Sequence, residues 1–251
     1  MSRVALPRRH LAAVGVAALA SGAAVAAPVS LRAADGLAVT GEALSASRVP
    51  ARGMVLLFHM AGSNLGEYAT IAPAFARRGF DTLAIDQRSG GPGWGRRNET
   101  AARLPRDPGF MAAMPDLEGA LAYVRERRPQ GGVLVLGSSY SAALVFLLAA
   151  GAGASVSAVL AFSPGEYLSG VSVRAAASRV ACPVFVTQDS DRAEQAGAAE
   201  ILAVVPGRPR RQFNPVAGAH GASILREDRN PRGAAAAWSA VDAFLDEVAP
   251  A

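Results

Sequence analysis

One segment of the sequence, residues 133–150 (VLVLGSSYSAALVFLLAA), constrains the fold more than any other. An apolar run rich in Val and Leu ends at a GSSYS turn, and an apolar helix-forming run follows at once. Ser139 has a small residue two positions away on each side, Gly137 and Ser141. A sharp turn needs small residues there, because a larger side chain would collide with the turn. The segment therefore predicts a strand, a tight turn and a buried helix.

Ser139 would lie at the apex of this turn. A strained strand-to-helix turn that presents a serine hydroxyl is typical of a nucleophile elbow. An ordinary turn rich in Gly and Ser would give the same local pattern, so the rest of the chain has to decide between them. In this interpretation Ser138 only fills the turn beside Ser139.

The composition is that of one folded domain. The chain has 251 residues, of which 51% are hydrophobic and 18% charged, which favours a single domain with a large core over residues 27–251. Its arginines are dispersed rather than grouped with aromatic residues, which argues against nucleic-acid binding. The single cysteine, Cys182, permits no internal disulfide. With so few histidines and cysteines, and these far apart, we expect no metal and no cofactor.

Residues 1–26 are interpreted as a cleaved export signal. Three arginines lie in the first nine residues, residues 11–20 form an apolar run too short for a permanent membrane anchor, and 24–26 (AVA) is a small-x-small cleavage site. Removal of this segment lowers the formal net charge from +5 to +2. We expect a periplasmic or secreted bacterial protein that begins at Ala27, and the arginine pair leaves the Sec and twin-arginine routes both open.

The rest of the chain alternates between short apolar runs and helical patterns. A hairpin around Asp35 opens the domain. The predicted later strands are 54–58, 82–85, 133–136, 156–162, 184–187 and 212–215, and the predicted helices are 67–78, 116–127, 196–204 and 234–248. Such alternation predicts an α/β fold with a mostly parallel central sheet and helices on both faces. The segment 88–113 is too short for a large cap domain.

A histidine base can be found by elimination. A serine hydroxyl needs a general base, and histidine is the usual one. The chain has three histidines: His10 lies in the leader, and His59 belongs to a different motif. His220, in a flexible AGAHG turn, follows the last short strand and is therefore the candidate base. In a parallel sheet, this position brings it to the same edge as Ser139.

The carboxylate that orients the base should follow the strand at 184–187. Asp189 and Asp191 both do so, and either gives the chain order Ser, Asp, His. We favour Asp191 because it lies farther beyond the strand, with Asp189 as the alternative. Glu166, which follows the preceding strand, is a more distant third.

The FHMAGS turn at 58–63 follows the first core strand and can present a backbone N–H toward an acyl oxygen. We expect the N–H groups of Met60 and Tyr140 to form the oxyanion hole. His59 would hydrogen-bond within the turn, and His59, Trp94 and Tyr167 are candidates to line a substrate pocket.

Together these motifs resemble the α/β-hydrolase superfamily over essentially the whole chain after the leader. The matching segments are LLFHMAGS at 56–63, AIDQRSGG at 84–91, VLVLGSSYSAA at 133–143, PVFVTQDSD at 183–191 and AGAHG at 217–221. The chain is most similar to dienelactone-hydrolase-like and small serine esterases. It departs from the usual pattern at Met60 and Ser141, where glycine is common, and at Ser139, where dienelactone hydrolases proper have cysteine.

The resemblance implies an exported serine hydrolase that cleaves carboxylic esters through an acyl-enzyme. Its partner would be a small-molecule ester or acyl substrate, and the sequence leaves the oligomeric state open. A peptidase or acyltransferase on the same triad is the first alternative. A catalytically inactive hydrolase fold that serves as a binding module is the second.

Overall fold

The computed structural model describes residues 26–250, so that the predicted leader lies outside the described residues except for Ala26. The strands are β1 (Ala27–Arg32), β2 (Ala38–Leu44), β3 (Gly53–Phe58), β4 (Phe80–Ile85), β5 (Gly132–Ser138), β6 (Ala158–Phe162), β7 (Val184–Thr187) and β8 (Arg210–Phe213). The α-helices are α1 (Ile71–Arg77), α2 (Met114–Glu126), α3 (Tyr140–Ala152), α4 (Val173–Ala177), α5 (Arg192–Ala203) and α6 (Ala234–Val248).

Within residues 26–250, the eight strands form one sheet in the order β1-β2-β4-β3-β5-β6-β7-β8. β1 pairs antiparallel with β2, and β2 pairs antiparallel with β4. Every other pair of neighbours is parallel. The opening hairpin and the mostly parallel sheet predicted from the sequence are therefore confirmed.

The central strands are apolar on both faces because each face is covered by helices. In β5, Val133 and Val135 face a core that also contains residues of α2, α3, α4 and α5. Leu134 and Leu136 face the opposite core, with residues of α1 and α6. This packing buries most of the central strands, whereas the edge strands β1 and β8 remain partly exposed.

The parallel strands bring their carboxyl ends to one edge of the sheet. The loops after β3, β5, β7 and β8 lead to the turn at His59, to Ser139, to α5 and to His220. The connection from β4 to α2 contains only two short 3-10 turns, Ala101–Arg103 and Phe110–Ala113, and so forms no large cap. Across residues 26–250, none of the helices combines the length and the apolar character needed to cross a membrane.

Candidate active site

Ser139 occupies the sharp turn between β5 and α3. Its backbone is at φ 59° and ψ −120°, a conformation that residues with a Cβ rarely adopt. The Ser139 N–H donates to the carbonyl of Phe162 at 2.8 Å, which ties the turn to the neighbouring strand. The half-buried hydroxyl is thus held at the edge of the sheet in the geometry of a nucleophile elbow.

Gly137 is required by this turn, and its replacement should be strongly destabilising. A Cβ on Gly137 would lie 2.3 Å from the backbone oxygen of Ser141, which cannot move without displacing α3. We expect Gly137→Ala to lower the free energy of unfolding by about 3 kcal/mol or more. Gly151→Ala, at an exposed position of the same helix with no atom in the way, should instead be stabilising by about 0.5 to 1 kcal/mol. Urea unfolding of both variants measures the difference, and equal effects would contradict the role of the close approach.

His220 lies directly against the candidate nucleophile. Its Nε2 is 2.8 Å from Ser139 Oγ, and its side chain remains 40% exposed. The next residue, Gly221, has φ 64°, and a Cβ there would be 2.3 Å from Ser138 Oγ. The loop can therefore pass close to the elbow only with glycine at this position, and this brings the imidazole within hydrogen-bonding distance of Ser139.

The carboxylate bonded to this imidazole belongs to Glu194, in the first turn of α5. Glu194 Oε1 is 3.2 Å from His220 Nδ1, and Oε2 accepts a hydrogen bond from the Asp189 N–H at 3.3 Å. With the proton on Nδ1, His220 donates to Glu194 and accepts from Ser139. The three side chains form a continuous hydrogen-bonded chain.

This contact corrects the predicted acid. Asp191 is the N-cap of α5, and its carboxylate accepts from the N–H groups of Ala193 at 2.8 Å and Glu194 at 3.0 Å. Asp189 accepts from the Ser190 N–H instead. Glu166, the third candidate, accepts from two N–H groups at the start of α4. Each of these carboxylates accepts from local backbone N–H groups, and within residues 26–250 the carboxylate that is hydrogen-bonded to His220 is that of Glu194.

The two predicted oxyanion donors, Tyr140 and Met60, differ in whether their backbone N–H is already hydrogen-bonded. Tyr140 is the first residue of α3, where a backbone N–H has no partner within the helix, and it directly follows Ser139. The N–H of Met60, by contrast, donates to the buried carboxylate of Glu67 at 2.8 Å. The prediction that Met60 is an oxyanion donor is therefore wrong, since its N–H points into the protein toward Glu67.

His59 hydrogen-bonds within its turn, but it does not line a pocket. Its side chain is fully buried; Nδ1 donates to the Met60 carbonyl at 2.8 Å, and Nε2 accepts from the Gln87 N–H at 2.9 Å. Burial lowers the pKa of His59 to about 4, so that the ring is neutral at physiological pH. The prediction that His59 lines the substrate pocket is wrong because the ring has no exposed surface.

Trp94 and Tyr167 were the other pocket candidates. The Trp94 indole donates to Ser63 Oγ at 2.8 Å, and the guanidinium groups of Arg226 and Arg229 lie 4.3 and 4.8 Å from its ring. The Trp94 ring therefore packs against Ser63, Arg226 and Arg229. Tyr167 is 38% exposed. Its hydroxyl donates to the carbonyl of Ser163 at 3.2 Å, and Ser163 Oγ accepts from the N–H of Gly221, the residue after His220. Burial and then the nearby charge of Glu194 raise the pKa of Tyr167.

The sequence did not reveal the role of a second carboxyl group, Glu67. It lies fully buried on the 3-10 helix Leu65–Tyr68, and its Oε1 accepts from the Ser138 hydroxyl at 2.7 Å. Ser138 Oγ in turn accepts from the Ala222 N–H at 2.8 Å. Ser138 is thus more than filler of the turn, because it bridges Glu67 to the segment after His220.

The buried Glu67 should make stability depend on pH. Burial raises the pKa of Glu67 from the usual 4.5 to about 7, so the folded state holds this proton more tightly than the unfolded chain does. Its contribution to stability is full below pH 4.5 and is lost as the pH rises through 7. Glutamine does not titrate. We therefore expect the free energy of unfolding of Glu67→Gln, relative to that of wild type, to rise by on the order of 3 kcal/mol between acid and alkaline pH. Urea unfolding from pH 5 to 8 measures this, and a pH-independent difference would contradict it.

The fold and the serine–histidine pair define an α/β-hydrolase. Residues 49–187 match the family described as serine aminopeptidase, S33 (Hydrolase_4), and the chain belongs to that family. No curated protein matches the chain in sequence.

Solved structures show the same fold at low identity. A dienelactone hydrolase from Anabaena variabilis superimposes with a TM-score of 0.71 at 18% identity, over 91% of this chain and 100% of that one. The Pyrococcus furiosus esterase Pf2001 gives a TM-score of 0.65 at 15% identity, over 90% and 91% of the two chains. An acylaminoacyl peptidase from Pyrococcus horikoshii gives 0.66 at 14% identity, over 92% of this chain and 43% of the peptidase.

Proposed function

We propose that the protein is a serine hydrolase that cleaves carboxylic esters through an acyl-enzyme. The observation that carries this proposal is the 2.8 Å contact between Ser139 Oγ and His220 Nε2, at a serine held in the backbone strain of an elbow. A hydroxyl with an adjacent imidazole, itself bonded to a carboxylate, is the arrangement that makes serine nucleophilic. We assign Ser139 as nucleophile, His220 as general base and Glu194 as the orienting carboxylate.

The reaction then follows from the positions of these atoms. His220 Nε2 takes the proton of Ser139 as Oγ attacks the carbonyl carbon of the ester. Collapse of the tetrahedral intermediate expels the alcohol, which takes that proton from Nε2, and Ser139 is left acylated. A water molecule, deprotonated by His220, then attacks the acyl group. Collapse of this second intermediate releases the acid, and His220 returns the proton to Ser139 Oγ. Glu194 holds the imidazole in the correct tautomer and stabilises its charged form.

The negative oxygen of the intermediate needs two donors. The Tyr140 N–H is one, as the first unpartnered N–H of α3. We assign the second to Ala61, which is exposed in the turn immediately after Met60, since the Met60 N–H is already bonded to Glu67. Each such donor is worth about 3 kcal/mol of transition-state stabilisation.

Ester hydrolysis is favoured over aminopeptidase activity by the carboxylates around the site. An aminopeptidase needs a negative group to bind the ammonium of the substrate. Here Glu194 is bonded to His220, while Asp191 and Glu166 accept from backbone N–H groups at the starts of helices. These acidic groups are therefore engaged in holding the loops. The peptidase alternative is supported by the description of the family and by the structural similarity to the acylaminoacyl peptidase from Pyrococcus horikoshii.

A substrate panel tests this choice. p-Nitrophenyl esters of increasing acyl length should be hydrolysed in a Ser139-dependent manner, whereas aminoacyl p-nitroanilides should be cleaved far more slowly. Faster cleavage of the anilides would favour the peptidase. Transfer of the acyl group to an added alcohol at the expense of hydrolysis would favour an acyltransferase.

We also propose that the protein is exported and that residues 1–26 are removed. The support is the basic start, the short apolar run and the AVA site of the sequence. N-terminal sequencing of the protein from the periplasm or medium of a bacterial host should give Ala27 as the first residue. An intact N-terminus in the cytoplasm would contradict the proposal.

A further inference from the structure

A buried carboxyl group joins the three segments that carry the proposed reacting groups. Glu67 accepts from the N–H of Met60 in the turn before Ala61 and from the hydroxyl of Ser138, which precedes Ser139. Through Ser138 Oγ it also reaches the N–H of Ala222, two residues after His220. All three hydrogen bonds are 2.7 to 2.8 Å long.

Glu67 itself is held in place from the other side. The Arg226 guanidinium donates to the backbone carbonyl of Glu67 at 2.9 Å, and that arginine is also nearly buried and paired with Asp228. The next residue, Tyr68, is fully buried, and its hydroxyl donates to the Phe58 carbonyl at 2.6 Å, at the end of β3. The carboxyl group therefore sits at a fixed point between the turn and the elbow.

Building an acid into this site costs stability unless it makes hydrogen bonds that a nonpolar residue could not make. A nonpolar side chain of the same size would leave the Met60 N–H and the Ser138 hydroxyl buried without partners. These two groups could regain hydrogen-bond partners only if the turn or the elbow moved. A displacement of about 1 Å between an oxyanion donor and a nucleophile is enough to lower turnover by about 100-fold.

We propose that Glu67 is a positioning residue that sets the distance between the oxyanion turn at 60–61 and the Ser139 elbow. This inference rests on the proposed function, because it assigns the turn to the oxyanion hole. Glu67 touches no substrate; it acts through Met60 and Ser138. The required property is hydrogen bonding rather than charge, so glutamine should replace it.

The test compares three variants. Glu67→Met removes the acceptors at nearly constant volume. Glu67→Gln keeps an oxygen that accepts from the Met60 N–H, and its amide N–H can donate to Ser138 Oγ, which retains that hydrogen bond with its direction reversed. Asp116→Asn is the control, because Asp116 is equally buried and accepts from the N–H of Arg88 at 2.8 Å, but its carboxylate is hydrogen-bonded to Arg88 and not to any of the three segments. We expect Glu67→Met to lower kcat for p-nitrophenyl acetate at least about tenfold with KM within twofold. Glu67→Gln should stay within about threefold of wild type, and Asp116→Asn should lose only stability.

Amide hydrogen exchange of the peptide that contains residues 59–62 provides a readout that does not need activity. The turn should be protected in wild type and Glu67→Gln and should exchange faster in Glu67→Met. Unchanged kcat or unchanged protection in Glu67→Met would overturn the inference, as would an equal loss of kcat in Glu67→Gln or Asp116→Asn. If wild type itself failed to hydrolyse any ester, the proposed function would fall, and the exchange data would still decide whether Glu67 fixes the turn.

Discussion

Replacing Ser139 with alanine is expected to lower kcat for p-nitrophenyl esters by a factor on the order of 10⁶. The variant removes the atom to which the acyl group would be bound, so that only direct attack by water remains. The backbone should tolerate the change, because alanine is no larger than serine and the Ser139 N–H can still donate to Phe162. The loss should therefore appear in kcat with the unfolding midpoint nearly unchanged.

Ser239→Ala is a suitable control for this experiment. Ser239 is an exposed serine of α6, and its hydroxyl only bonds to the Ala235 carbonyl in the same helix. This variant should have wild-type kcat. Retention of more than about one per cent of activity in Ser139→Ala would exclude Ser139 as the nucleophile, since a triad nucleophile typically contributes far more.

Replacing Glu194 with glutamine should be the next most damaging change, with a loss of about 10⁴ in kcat. The glutamine amide can donate to His220 Nδ1, which would place the imidazole proton on Nε2. A protonated Nε2 cannot accept a hydrogen bond from Ser139. The KM should change little, because Glu194 contacts the base rather than the substrate. Steady-state kinetics on p-nitrophenyl acetate measures both constants.

The matched control for Glu194→Gln is Asp191→Asn, at the residue that the sequence pattern favours as the triad acid. Asparagine caps a helix about as well as aspartate, so the start of α5 and the position of Glu194 should be preserved. We expect kcat within about threefold of wild type. A large loss in Asp191→Asn together with an active Glu194→Gln would restore Asp191 as the triad acid and contradict the hydrogen bond to Glu194.

The fold was largely predictable from the sequence because its signals are local. The apolar runs of β3, β5 and β7 and the elbow at Ser139 are visible in the residue pattern, as is α6, whose predicted and observed bounds agree. The short helix α4 was not predicted, and it has only five residues, too few for a periodic pattern.

His220 is hydrogen-bonded to Glu194 rather than to Asp191, because α5 begins earlier than the sequence pattern predicts. Asp191-Arg192-Ala193-Glu194 has an N-cap residue followed three positions later by glutamate, a recognised start signal for a helix. The apolar pattern predicts a helix only from 196, with Asp191 in the preceding loop, whereas α5 begins at Arg192. The N-cap motif predicts that Asp191 accepts from backbone N–H groups at the start of a helix. Glu194 is then the better candidate to orient His220.

The role of Glu67 could not be predicted in this way. The sequence placed it on a helix over 67–78, where a glutamate is ordinarily exposed, whereas the structure has a 3-10 helix at Leu65–Tyr68 and α1 only from Ile71. The contact that buries Glu67 is with Ser138, 71 residues away. Only the three-dimensional packing of the turn against the elbow brings these residues together.

The most direct test of the central assignment is the site of covalent modification by a fluorophosphonate probe. After reaction of the purified protein, we expect mass spectrometry to find one adduct, on Ser139, in the peptide that spans the GSSYS turn. His220→Ala should react far more slowly, because the hydroxyl would have lost its base. Absence of any adduct on folded wild-type protein, or an adduct on another residue, would contradict the assignment of Ser139 as the nucleophile.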